Sequence, residues 1–257
     1  MLLALDIGNT NITMGLFDGA ELRHTWRLAT DPTKTGDEYS LMVQGLLARA
    51  GYLVQHVDGC VVANVVPALS AAFTQVCRDL FQLQPLFVDA TVDTGVEVQV
   101  DFPKEVGADR IVNAAAAYRL YGGPAIVIDF GTATTFDVIS GEGAYIGGAI
   151  APGVAVAAEA LAARAARLFR VELVVPERAI GKNTVQSLQS GLMYGYIGLV
   201  EGLVRRLAAE LEGEPVVIAT GGLAETVARH TQAIDVVNRE LTLQGLHLIY
   251  ARHTAAE

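Results

Sequence analysis

One motif is written twice in this chain. Near the start the sequence reads Leu3-Ala4-Leu5-Asp6-Ile7-Gly8-Asn9-Thr10, and in mid-chain Ile126-Val127-Ile128-Asp129-Phe130-Gly131-Thr132-Ala133-Thr134-Thr135. Each copy is an apolar run, an Asp, one apolar residue, a Gly, then small hydroxyl or amide side chains. The pattern is that of a strand carrying a carboxylate to the mouth of a tight turn. Glycine lets backbone approach a ligand closely, and the N–H and hydroxyl groups that follow can hold phosphate. The surroundings repeat as well. After the first copy come Asn11-Ile12-Thr13-Met14-Gly15-Leu16-Phe17 and the hairpin signal Asp18-Gly19; after the second come Phe136-Asp137-Val138-Ile139 and the glycine-containing turn Ser140-Gly141-Glu142-Gly143. One copy is as well explained by an ordinary hairpin. Two copies in matched contexts point to two half-domains gripping one nucleotide.

Patterning along the chain supports the duplication. Residues 2–7, 12–17 and 21–28 read as a three-stranded meander. Thr35-Gly36-Asp37-Glu38 opens a helix to about Ala50. A strand without polar alternation follows at 60–66, then a helix from Ala68 to about Leu80 and a short strand at 86–88. Residues 91–106 are loop or extended, and Val106 to Arg110 opens an Ala-rich helix ending near Gly122-Gly123-Pro124. The second half repeats the order: strands at 125–129, 134–140 and 144–149, helices at 153–168 and 184–212, a strand at 215–220, a helix to about His230 and a last helix at 242–252. The order β-β-β-α-β-α in each half fits an RNase-H-like (actin-like) lobe, because a Rossmann unit alternates strand and helix from its start. The expected fold is α/β: two such lobes with mixed sheets, 1–114 and 115–257, and a nucleotide cleft between them.

Composition narrows the function. With 257 residues, 52% of them hydrophobic, the chain can bury a substantial core. A net charge of −10 argues against non-specific nucleic-acid binding, which needs Lys and Arg to displace counterions. ATP remains open, since backbone amides and metal ions can hold phosphate. Cys60 and Cys77 sit in apolar surroundings with no CxxC or zinc spacing and read as buried thiols of a reducing compartment. Asp6 interrupts the apolar start too early for a signal peptide, and the Ala/Val-rich stretch 149–163 is broken by Pro152 and Glu159. A cytoplasmic protein without membrane or nucleic-acid partners is expected.

Rival nucleotide signatures fail. There is no G-x-x-x-x-G-K-[ST]; Gly181-Lys182-Asn183-Thr184 resembles only its tail. What remains is phosphoryl transfer on two phosphate turns with carboxylates, which needs a divalent cation, donors to the phosphate oxygens and a base for the attacking hydroxyl. Asp6 and Asp129 are the natural carboxylates for direct or water-mediated cation contact. Gly8, Asn9, Thr10, Gly131 and Thr132 are the natural cradle. Ala219-Thr220-Gly221-Gly222 is a third strand-to-turn break, read either as an adenosine contact or as a helix-opening turn. Asp109, in a first helical turn beside Arg110, is the candidate base; helix N-terminus and cation would both favour its ionised form. Arg110 could grip a substrate carboxylate. The same pair is also what a helix-start Asp and a solvated Arg would look like.

Taken together, Asp6-x-Gly8-Asn9-Thr10, Gly107-Ala108-Asp109-Arg110, Asp129-x-Gly131-Thr132-Ala133-Thr134-Thr135, Gly181-Lys182-Asn183-Thr184 and Ala219-Thr220-Gly221-Gly222, in this order, resemble type III pantothenate kinases of the acetate and sugar kinase/chaperone/actin superfamily. Lys34-Thr35-x-Asp37-Glu38-Tyr39, Gln189-Ser190-Gly191 and Leu241-Thr242-Leu243-x-Gly245-Leu246 are similar too, and the likeness runs from about residue 2 to 251. It implies ATP-dependent phosphorylation of pantothenate to 4'-phosphopantothenate, opening coenzyme A synthesis. It implies ATP contacts from Asp6, Ile7, Gly8, Asn9, Thr10, Asn11, Ile12 and Thr13, with Thr132 on phosphate and Asp109 as proton acceptor. Gly107, Ala108, Asp109, Arg110 and Thr184 would contact pantothenate. Asp129 would hold a monovalent cation, potassium or ammonium, and Asp6 would serve Mg²⁺, directly or through water. Such enzymes are homodimers; Leu192, Tyr196, Leu199, Val200 and Leu203 of the long helix offer a dimer or core face. Where many members read Tyr-x-Asn-Pro before the GADR stretch, this chain reads Val100-Asp101-Phe102-Pro103, losing a phenol and an amide. Other readings are a regulatory relative, a kinase of another small hydroxy acid, and an actin-like assembly ATPase; the intact Asp109-Arg110 pair favours a kinase over the regulator and the assembly ATPase.

Overall fold

A computed structural model of the chain describes residues 1–164 and 168–255. Its contacts divide it into two compact units, Met1–Arg119 with Glu240–Glu257, and Leu120–Arg239. The first contains β1 (Leu2–Ile7), β2 (Asn11–Asp18), β3 (Glu21–Ala29), α1 (Gly36–Arg49), β4 (Gly59–Asn64), α2 (Ser70–Phe81), β5 (Leu86–Phe87) and most of α3 (Ala108–Tyr121). The second contains β6 (Ala125–Phe130), β7 (Ala133–Ile139), β8 (Tyr145–Pro152), α4 (Val154–Arg164), α5 (Thr184–Ala208), β9 (Val216–Gly221), α6 (Ala224–Ala228) and β10 (Val236–Val237). The last helix, α7 (Leu241–Ala255), belongs to the first unit.

The two sheets have one topology. The first runs β3-β2-β1-β4-β5 and the second β8-β7-β6-β9-β10. In each, a three-stranded antiparallel meander is extended by two parallel strands. The fold expected from the sequence, two RNase-H-like α/β units with mixed sheets, is the one observed.

Local chemistry explains the elements. The central strands β1 and β4 are apolar apart from Asp6 and Asn64 near their C-terminal ends, and buried along almost their whole length, as strands covered on both faces must be. α1 begins at a capping box: Thr35 accepts the Glu38 N–H, and the Glu38 carboxylate accepts the Thr35 N–H. α1 and α2 pack Tyr39, Val43, Leu47, Phe73 and Val76 on one face of the first sheet. On its other face, Val112 and Ala115 of α3 and Leu243, Leu246 and Ile249 of α7 cover Leu2, Ala4, Val61 and Ala63. In the second unit, α5 lays Met193, Tyr196, Ile197, Val200 and Val204 against Ile126, Ile128 and Phe136. The stripe of α5 read as a dimer or core face is therefore core: Leu192, Tyr196 and Val200 are buried, and Leu199 and Leu203 pack partly buried against the same cluster.

Some boundaries differ. A division at 114/115 keeps each lobe contiguous, whereas the observed first unit takes back residues 240–257, because the apolar stripe of α7 completes the first core. α5 stops at Ala208 rather than 212, and a turn then leads to Gly213 at φ +90°. The helix after β9 is five residues long. β10 has two residues, too few to show alternation in sequence. Of the helix expected at 153–168, α4 covers Val154–Arg164, and residues 165–167 lie outside the described residues. Cys60 and Cys77 are buried free thiols. Among the described residues, no helix is long and apolar enough to cross a membrane.

Candidate active site

The two duplicated turns are built alike, down to single hydrogen bonds. In the first unit, the Gly8 N–H donates to Asn11 O at 3.0 Å, closing the link between β1 and β2. In the second, the Gly131 N–H donates to Ala133 O at 3.0 Å, closing a turn one residue shorter. Each turn is tied from below by the residue after the third strand: the Thr30 N–H donates to Thr10 O and the Gly153 N–H to Thr132 O, both at 3.0 Å. In the first unit the Thr30 hydroxyl also donates to Gly8 O at 2.6 Å. In the second the corresponding place must be glycine, since a Cβ on Gly153 would lie 2.3 Å from Thr132 O and 2.7 Å from Gly131 O. Asn9, Thr10 and Asn11, and Gly131 and Thr132, are left exposed at the tips. The outward face of each turn is thus backbone and short polar side chains on a rigid base, which is what a phosphate cradle requires.

The carboxylates stand just below the tips. Asp6 lies opposite Thr13 on β2 and Ala63 on β4; Asp129 lies opposite Thr135 on β7 and Thr220 on β9. Both are half-buried. The third turn closes on the second: the Gly222 N–H donates to Phe130 O at 3.1 Å, as the Val65 N–H donates to Ile7 O at 3.0 Å in the first unit. Gly221 has φ +87°, and a Cβ there would meet Asp129 Oδ1 at 2.6 Å and the Phe130 backbone at 2.7 Å. Only glycine lets β9 end so close to the carboxylate. Gly222 has open space around it. The second unit therefore brings Asp129, Thr132, Gly221 and Gly222 together.

Asp109 is delivered to the first turn by backbone packing. Val65, whose N–H is held by Ile7, has its side chain 3.4 Å from where a Cβ of Gly107 would sit, and Asp109 Oδ1 is 2.5 Å from the same point. Gly107, Ala108, Asp109 and Arg110 thus lie beside the end of β1 within one unit. The Asp109 carboxylate accepts the Arg110 N–H at 2.8 Å. Sequence alone suggested that helix and cation set its protonation. In the structure burial is the larger influence and pushes the Asp109 pKa up, while the Arg110 N–H and guanidinium oppose it. The group is a stronger base than an exposed aspartate.

Thr184 stands elsewhere. It opens α5 on exposed backbone, where Asn183 accepts the Gln186 N–H at 2.9 Å and Gln186 Oε1 accepts the Lys182 N–H at 3.0 Å. Gly181-Lys182-Asn183-Thr184 is a helix cap. Twelve residues on, or about 18 Å of helical rise, Tyr196 bonds Thr134 Oγ1 and Pro152 O beside the second turn. Two features passed unassigned in the sequence. Thr30 reads there as the tail of a strand, and its tie to Gly8 and Thr10 shows only in three dimensions. Asp137 reads as part of a returning strand, yet it is a fully buried carboxylate on the Asp129 face of the second sheet; its place two residues beyond Thr135 was the available signal.

The comparisons with known proteins now bear on this geometry. The type III pantothenate kinase family profile matches residues 2–206, a span holding both turns, both carboxylates and Asp109. The chain belongs to that family. A type III pantothenate kinase of Moorella thermoacetica is 53% identical over 254 residues, covering 99% of this chain and 100% of the relative. One from Roseiflexus castenholzii is 52% identical over 250 residues, covering 97% and 98%. Among solved structures, a Campylobacter jejuni protein described as a candidate Baf family transcriptional activator superposes with TM-score 0.63 at 20% identity, covering 98% of this chain and 99% of its own. An inorganic polyphosphate/ATP-glucomannokinase from an Arthrobacter strain gives 0.51 at 15% identity, covering 98% and 99%. At these identities the two structures establish the fold alone. Family membership makes the chain a kinase, and a kinase of this superfamily uses ATP with a divalent cation.

Proposed function

We propose that this kinase transfers the γ-phosphoryl group of ATP to the primary hydroxyl of pantothenate, the first step of coenzyme A synthesis. The observation that carries the reading is the full-length likeness to pantothenate kinases at 52–53% identity. Asp6 to Thr13 and Thr132 bind the triphosphate, with Gly221 and Gly222 against the adenosine. Asp109, raised in basicity by burial, takes the proton of the attacking hydroxyl, and Arg110 pairs with the pantothenate carboxylate. Gly107 and Ala108 shape the acid's pocket. Phe102, 66% exposed, and Val100 stand where many relatives have Asn and Tyr, so the polar contacts of that phenol and amide are not made here.

The donor set suits hard cations. Among the described residues no three His, Cys, Asp or Glu side chains gather into a metal cage, which fits Mg²⁺ carried mainly by phosphate and water with Asp6 as its protein partner. When bound, Mg²⁺ neutralises charge on the transferring phosphoryl group. Asp129, flanked by Thr135 and Thr220, offers oxygen alone and suits potassium or ammonium. The family likeness supports a homodimer with pockets completed near the subunit interface, and it assigns Thr184, exposed at the start of α5, to pantothenate. The exposed apolar side chains Ile146, Ile150, Val156 and Leu161 support an interface on the second unit. The enzyme works in the cytoplasm.

A coupled ADP-release assay with pantothenate, with and without potassium, tests the reading. Pantothenate-dependent ADP release is the expected result. Turnover of another hydroxy acid with none of pantothenate would keep the kinase and discard the substrate.

A further inference from the structure

The duplicated hairpins differ at one buried position. In both units the carboxylate at the end of the first strand faces a threonine on the second: Asp6 faces Thr13, and Asp129 faces Thr135. Two residues further along that second strand, on the same face, the first unit has Gly15 and the second has Asp137. In the first unit a larger side chain would crowd its neighbours, since a Cβ on Gly15 would meet the Leu243 side chain at 3.0 Å and that of Leu22 at 3.1 Å. In the second, Asp137 is fully buried. Its Oδ2 accepts the Thr135 hydroxyl at 3.2 Å and its Oδ1 accepts the Tyr145 hydroxyl at 3.2 Å. A buried carboxylate is costly and persists where its charge is used.

A threonine hydroxyl has one proton and two lone pairs. Opposite a carboxylate, its natural choice is to donate that proton across the strand pair. Asp137 takes the proton instead. Thr135 is then left with acceptor lone pairs, on the strand position paired with Asp129, with Thr220 paired to Asp129 on the other side. Tyr145 holds the second Asp137 oxygen and so fixes the orientation of the first. We propose that Asp137 is a positioning residue that makes Thr135 an oxygen ligand for the monovalent cation, and that it confines this cation to the second of the two turns. Nothing at Gly15 can do the same for Thr13. The inference rests on the assignment of Asp129 to that cation.

The test uses the full chain with Thr135→Val, Thr135→Ser and Asp137→Asn, in a background of a bulky organic cation. Two quantities are read: the potassium concentration giving half-maximal ADP release, and the potassium-induced rise in melting temperature with a non-hydrolysable ATP analogue bound. For Thr135→Val the half-activating potassium concentration should rise at least tenfold, with the melting response lost. Thr135→Ser should restore both. Asp137→Asn, which can turn its amide toward Thr135, should weaken both. Native-like potassium responses in Thr135→Val would overturn the inference while leaving the cation at Asp129. A native enzyme indifferent to potassium in both readouts would overturn the underlying assignment, and the inference with it. Should Thr135→Val not fold, native-like responses in Asp137→Asn overturn the proposal equally.

Discussion

A carboxylate that is to take a proton from an alcohol must be ionised at working pH and yet poorly solvated, so that the proton is worth taking. Asp109 is buried, which raises its pKa, and it accepts the Arg110 N–H at 2.8 Å, which opposes that rise and favours the ionised form. Asp109→Asn retains the size and the acceptor for that N–H but not the basicity. We expect kcat to fall by roughly 10²–10⁴-fold, the usual cost of losing a general base, with ATP affinity retained. The same shift fixes the sign of a stability effect. Because the folded pKa lies above the ordinary value of 3.8, the group favours folding only while protonated, and that contribution is lost as pH rises through the folded pKa. Above its folded pKa the native carboxylate therefore costs stability, and Asp109→Asn should there melt at or above the native temperature, the gap closing below pH 3.8. A variant that loses activity and also melts lower at neutral pH would make Asp109 a structural residue. A first-turn Asp beside an Arg left Asp109 open between a base and a helix-start residue, and the family likeness favoured the base. Its direction of shift was not legible, because burial against neighbours distant in sequence outweighs a helix end worth about 0.3–1 kcal/mol.

Among the elements, the end of β9 bears on two readings that the sequence left open. Gly221 and Gly222 could open a helix or admit a nucleotide, and the structure gives the two glycines different surroundings. A methyl on Gly221 would strike the Phe130 backbone and the Asp129 carboxylate at a left-handed φ of +87°. Gly221→Ala should therefore destabilise the fold by about 1–3 kcal/mol, read as a lower urea midpoint, and should disturb the Asp129 site as well. A methyl on Gly222 meets nothing within 4 Å. Gly222→Ala should leave the urea midpoint within experimental scatter while raising the KM for ATP several-fold. An unchanged KM for ATP in a normally folded Gly222→Ala enzyme would return this turn to a purely structural role. The duplicated motif itself was plain in sequence because it is local: apolar strand, Asp, Gly and small polar residues within one hairpin. Thr30 and Gly153 were not legible as turn supports, since each reaches its turn only after a whole strand has folded back.

At the scale of the molecule, the repeat that made the fold readable also concealed how the chain closes. Strand order and sheet composition followed from two copies of one β-β-β-α-β pattern. Reading the copies as contiguous halves, however, assigns α7 to the second because it is nearest in sequence. The apolar positions Leu243, Leu246 and Ile249 are silent about which sheet they cover, and only packing shows them on Leu2, Ala4 and Val61. The C-terminal helix therefore stabilises the unit that carries Asp6 and Asp109, and the core it completes is most sensitive at a fully buried position such as Leu246. Leu246→Ala removes side-chain burial and leaves a cavity between α7 and the first sheet, for which the usual cost is about 2–5 kcal/mol. The consequence should fall unevenly. Asp109 and Gly107 sit at the start of α3, whose Ala108, Val112 and Ala115 share this cluster, so pantothenate turnover should become heat-labile at a lower temperature than in the native enzyme. The Asp129 turn, built on the second core, depends on none of these residues. Limited proteolysis of Leu246→Ala should accordingly open the first unit before Leu120–Arg239. Cleavage beginning within 120–239 would mean that the two cores do not carry their stability separately.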